Sequence, residues 1–145
     1  MNVQLNPTQS DTRAGEITLP GSVDLTGKEG YLLKLVNNAG AANFALPAAT
    51  DDFAVYICAS GDVAGQPSAG ESPTTGENCR LKLKGTCVPG DELALADPST
   101  AADAGKVRKR LTTTGTWRTL FVAEESGADG QFVKARRVGE RSITI

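Results

Sequence analysis

Apolar and polar residues alternate along this chain in short runs, each closed by glycine, proline, asparagine or aspartate, with about ten residues from one run to the next. Ile17-Thr18-Leu19 alternates and stops at Pro20-Gly21. Residues 31–36 form a second run, ended by Asn37-Asn38-Ala39-Gly40, and residues 53–58 form a third that is apolar on both faces. Arg80-Leu81-Lys82-Leu83-Lys84 has a clean period of two, which sends Leu81 and Leu83 inward and the cations outward. Residues 92–96, 106–111, 117–124, 131–138 and 142–145 continue the series. Short strands with a turn signal between each pair predict an all-β protein, a small β-barrel or sandwich. The predicted core positions are Leu33, Leu35, Val55, Ile57, Leu81, Leu83, Leu93, Leu95, Val107, Phe121, Val133 and Ile143.

No segment sustains a 3.6-residue period. The helical candidates are single turns at 48–52 and 98–104, the second with Asp97 as N-cap and Pro98 at the first helical position. Residues 1–16 are polar and without a period, so they predict an extended N-terminal arm that needs a surface to lie on. Residues 17–145 then form a single β-rich domain. Residues 60–78, dominated by Gly, Pro, Ser and Thr, predict a long exposed loop within it. No internal repeat stands out.

Composition narrows the function. A net charge of −2 argues against a general nucleic-acid binder, which needs a basic excess to displace counterions. The chain has no apolar run long enough to cross a membrane. Its start, Met1 to Pro7, lacks the basic and apolar regions of a secretory signal. These features predict synthesis in a reducing cytoplasm. Three cysteines, Cys58, Cys79 and Cys87, are too odd a set for a closed disulfide framework. Cys79 and Cys87 flank the turn-like Gly85 and could face each other in a hairpin, but small buried thiols are the favoured reading.

Catalytic chemistry is sparse. The chain has no histidine, which removes the commonest general base and transition-metal ligand. Ser68 and Ser72 lie in loop sequence and match no nucleophile elbow. Gly85 and Gly90 are spaced like a phosphate loop, yet Asp91-Glu92 stand where Lys and Ser/Thr are required. The cysteines lack the paired spacing of a zinc site. Asp51, Asp52, Asp97 and Asp103 read as turn and cap residues rather than a calcium loop. No catalytic residue, cofactor or metal is expected, and the chain reads as a non-enzyme. The basic run Lys106-Val-Arg-Lys-Arg110 and the cluster Arg136, Arg137, Arg141 are either solvent-facing strand positions or, by slight preference, a surface complementary in charge to an acidic protein.

The C-terminal half carries a recognisable order. Gly85 to Leu93 places a Gly-Asp turn before a strand, and Gly105-Lys-Val107 opens another. A strand ends Val122-Ala-Glu-Glu125, and Gly130-Gln-Phe-Val133 begins a last one. Residues 80–138 in this order resemble small phage capsid proteins, encoded near the major head protein, that form short β-barrels and decorate or cement the head of a tailed phage. The resemblance implies a structural virion protein on the outer capsid surface. Its partners would be the major capsid protein and itself, as a homotrimer or a dimer, with no nucleic acid and no membrane. It implies that the arm contacts the capsid, with Val3, Leu5, Pro7 and Arg13 as candidate contacts. The alternative is a tail or head-fibre, receptor-binding component of a phage.

Overall fold

The computed structural model describes residues 16–145. Its strands are β1 (Glu16–Pro20), β2 (Leu32–Asn38), β3 (Ala41–Ala45), β4 (Tyr56–Ser60), β5 (Pro67–Glu71), β6 (Asn78–Lys82), β7 (Glu92–Leu95), β8 (Val107–Lys109), β9 (Thr116–Ala123) and β10 (Phe132–Thr144). Among the described residues they form two antiparallel sheets in the orders β1-β5-β4-β2-β3 and β6-β10-β9-β7-β8. Each sheet curls until its ends meet. In the first, Gly21 bridges Phe44 in parallel and the Ser22 N–H donates to the Phe44 carbonyl at 2.8 Å. In the second, Leu83 bridges Val107 and the Lys84 N–H donates to the Val107 carbonyl at 2.8 Å. The result is a pair of small barrel-like sheets: the all-β class is as the period-two pattern predicts, and the division into two closed sheets is a finding of the structure.

One four-residue turn recurs along the chain. In it the fourth N–H returns to the first carbonyl and a glycine with positive φ stands third, as in Lys28–Tyr31, Val88–Asp91, Asp103–Lys106 and Ala128–Gln131. That backbone region is costly for any residue with a Cβ, so glycine fixes where each strand begins.

The C-terminal half hides a duplication. Leu83 to Leu95 and Ala123 to Ala135 are the same strand–turn–strand path, and their hydrogen bonds exchange under a shift of forty residues. The Cys87 and Gly127 peptides bond each other reciprocally at 3.2 and 3.1 Å. Gly90 N–H donates to the Ala123 carbonyl at 2.8 Å, and its twin Gly130 N–H donates to the Leu83 carbonyl at 2.9 Å. The Asp91 carboxylate takes the Val88 N–H as the Gln131 amide takes the Ala128 N–H, both at 2.9 Å. The two copies interlock about a local pseudo-twofold. An internal repeat is therefore present, contrary to the sequence reading.

Two apolar clusters result. The larger holds Leu81, Leu83, Leu93, Leu95, Val107, Phe121 and Val133, and takes in Leu32, Ala54 and Ile57 from the first sheet. The smaller fills the first sheet with Leu25, Leu33, Phe44 and Cys58. Backbone bonds also join the halves, from Leu32 N–H to the Gly105 carbonyl at 2.7 Å and from Lys82 N–H to the Gly30 carbonyl at 2.9 Å.

Several expectations need correction. Leu35 is 44% exposed, because beyond Leu33 strand β2 leaves its sheet in a projecting hairpin. Val55 and Ile143 are half-buried rather than core. Residues 60–78 are not one loop: they contain β5, which pairs with both β1 and β4. Gly70 adds to the loop-like composition of this stretch, yet it lies in close contact with Phe44, and a Cβ there would stand 2.6 Å from the ring. Residues 48–52 form a turn, not a helix, drawn in by the Asp52 carboxylate. The later helical turn is shorter than expected, a 3-10 turn at Ala101–Asp103 preceded by Thr100, while Asp97 instead takes the Ser99 N–H.

Candidate interaction surfaces

The four candidate contacts Val3, Leu5, Pro7 and Arg13 lie outside the described residues. Ser68, Asp52 and Asp103, weighed for chemistry in the sequence, are held in structural roles. Ser68 is buried and its hydroxyl accepts the Asp62 N–H at 3.0 Å. Burial pushes the Asp52 carboxyl up, but hydrogen bonds from Lys34, Ala48 and Ala49 outweigh it and leave the group below its ordinary range. Asp103 is held low chiefly by its hydrogen bond from Lys106, with Lys84 adding attraction. Among the described residues no three His, Cys, Asp or Glu side chains converge as a metal set.

The cysteines are free thiols. Cys79 and Cys87 do not face each other across a hairpin. The chain runs on from β6 into the interlocked path, so the Cys79 thiol meets the Ala135 carbonyl at 3.6 Å and the Cys87 thiol meets the Glu125 carbonyl at 3.7 Å. Desolvation pushes the Cys58 thiol to about 11 and Cys79 to about 12, so neither is a nucleophile near neutrality.

The basic clusters meet acids of this same chain. Lys106 pairs with Asp103 at 2.9 Å, Lys109 with Asp91 at 3.4 Å and Arg110 with Glu92 at 2.9 Å. Arg141 also reaches Glu92, and Arg136 pairs with Glu124 at 2.9 Å. Arg137 lies over the Phe121 ring, its centre 5.7 Å from the ring centroid. Spacing alone suggested a cationic face for an acidic partner; the fold places Glu92 of β7, together with Asp91, Asp103 and Glu124 from the connections, beside these cations and neutralises much of that face.

Two surface features stand out among the described residues. One is a cleft of about 650 Å³ where the two sheets meet, walled by Ile57, Cys58, Glu71, Glu77, Arg80 and Phe132. Sequence reasoning missed it, since its walls come from strands far apart in the chain. The other is the β2–β3 hairpin, where Leu35, Ala41 and Ala42 are exposed around a two-residue turn with φ of 51° at Ala39 and 91° at Gly40. Both central residues are left-handed, the conformation that suits a tight hairpin.

No protein-family model matches the chain, and no curated protein matches it in sequence. Its fold does have a counterpart among solved structures, the head fibre gp8.5 N base of bacteriophage phi29. The two superpose with a TM-score of 0.64 at 13% sequence identity, over 84% of this chain and 92% of that one. At this identity the likeness establishes a shared fold.

Proposed function

We propose that this chain is a non-enzymatic structural component of a phage virion that sits on the outer surface of the head, with the major capsid protein as its partner. The fold likeness carries the reading: it spans nearly the whole of both chains, and the counterpart is a head-associated protein. The C-terminal turn-and-strand order supports it independently. In the finer form of the reading the chain is a decoration protein. It binds the expanded head in preference to free subunits and so stabilises the shell by mass action. A second reading, the base of a head fibre, is favoured by the counterpart being such a base.

Co-sedimentation of the purified chain with expanded heads of the phage that encodes it, and with unexpanded proheads, tests this. Saturable binding to expanded heads, together with a higher temperature of head disruption, supports decoration. Binding without any gain in head stability supports the fibre base. Absence of binding to both particles removes the virion-head reading.

A further inference from the structure

The β2–β3 hairpin leaves two short strand edges without the charges or proline that commonly blunt them. An exposed strand edge invites pairing with another chain, and proteins blunt such edges with charges, proline, bulges or cover. Residues 35–50 are the longest uncharged run in this chain, and the hairpin lies at its start with no proline between 35 and 45. Among the described residues β2 pairs with β4 only at Leu32 and Leu33, and β3 meets β1 and its extension only near Phe44. Beyond these points neither outer edge is paired with another described residue.

Strand alternation says which groups point outward there. The Tyr31 carbonyl accepts the Cys58 N–H on the β4 side, so the peptide groups of Leu35 and Asn37 point outward on that same edge. The Phe44 carbonyl accepts the Ser22 N–H, so those of Ala42 point outward on the other. The pairs Lys34–Ala45, Val36–Asn43 and Asn38–Ala41 face inward and hold the hairpin together.

A single foreign strand would cover one of these edges and leave the other exposed. Copies of this chain cover both, if β3 of one hairpin lies antiparallel beside β2 of the next and the ring closes. The side chains brought together come from residues 35–38 and 41–42, apolar or amide and none of them charged, so no charge has to be desolvated. We infer that the hairpin at residues 35–42 is a self-association element, pairing edge to edge with the same hairpin of further copies. The inference does not depend on the virion reading.

Analytical ultracentrifugation of the full chain over a wide concentration range tests it. The expected result is a particle of an integer multiple of 15.0 kDa. Ala42→Lys and Leu35→Lys raise the concentration needed for association at least tenfold, whereas Val63→Lys, at an exposed position in another turn, leaves it unchanged. Ala42→Pro, which removes an outward N–H and keeps the inward bonds, acts like the lysine variants while circular dichroism reports an intact sheet. A chain that stays monomeric throughout overturns the inference. So do hairpin variants that associate as the parent does, and so do variants that keep their oligomer but stop binding heads, which would give the edge to the capsid.

Discussion

The two sheets of this protein share a strand count and a means of closure, yet they are built differently. The second is an interlocked duplication with a large apolar cluster, and a band of ion pairs covers its outer strands. The first has a small core of four fully buried residues and sends an uncharged hairpin into solvent. The second half therefore acts as the scaffold, and the first carries backbone edges that no other described residue pairs. Burial and charge pairing both tie the chain to itself, and where they run out the chain is free to meet another.

Substitutions sharpen this contrast. The largest effect is expected at Leu83, which is fully buried between the duplicated paths. Leu83→Lys costs more than about 4 kcal/mol, because an unpaired charge must enter the core. Val55→Lys costs about 1 kcal/mol, since that side chain is half-buried and a lysine stem can reach water. Urea midpoints of the two variants decide it, and equal losses would remove the distinction between the centre of the larger cluster and its half-buried margin. In the first sheet, Gly70→Ala drives a methyl against the Phe44 ring and lowers stability by about 1–3 kcal/mol. An unchanged thermal midpoint would mean that the small core is loose enough to yield.

The ion pairs give a pH signature. Asp103 bridges Lys84 and Lys106, and its carboxyl is held below its ordinary 3.8. Its contribution is therefore fully present above about pH 4 and lost as pH falls through the lower folded value. Asp103→Asn is expected to cost about 1–2 kcal/mol at neutral pH. The gap to the parent closes in acid, as chemical denaturation from pH 7 to pH 2 would reveal. The smallest effect has the opposite sign. Ala39 holds a left-handed φ of 51°, so Ala39→Asn raises stability by about 0.5 kcal/mol, measurable as a higher melting temperature. A loss there would show that the hairpin turn is held by something other than its local geometry.

Much of the first-order picture was legible in the chain. Leu81 and Leu83 fall inward as their alternation requires, and the turn at Gly90 stands where Pro89-Gly90-Asp91 signals it. Leu35 misled because an alternating strand looks the same whether its apolar face meets a core or protrudes. The repeat was invisible because residues 81–95 and 121–135 share a single identical residue in register, Gly90 with Gly130. Strand β5 was hidden by Gly70, whose missing side chain is explained only by a phenylalanine from another strand. The candidate contacts in the arm lie beyond the described residues, and nothing in local pattern marked the hairpin edge as unpaired among those described.

The sequence by itself determined the all-β class, the positions of the turns and the want of a histidine for catalysis. These depend on neighbours in the chain: side-chain period, glycine at positive φ, and residue chemistry. Tertiary structure alone decided that much of the basic runs is neutralised, that two paths interlock and that, among the described residues, one hairpin leaves both edges unpaired. Each of those depends on a partner tens of residues away, such as Glu92 beside Arg141 or Leu83 beside Gln131, and a partner at that distance leaves no mark on local pattern.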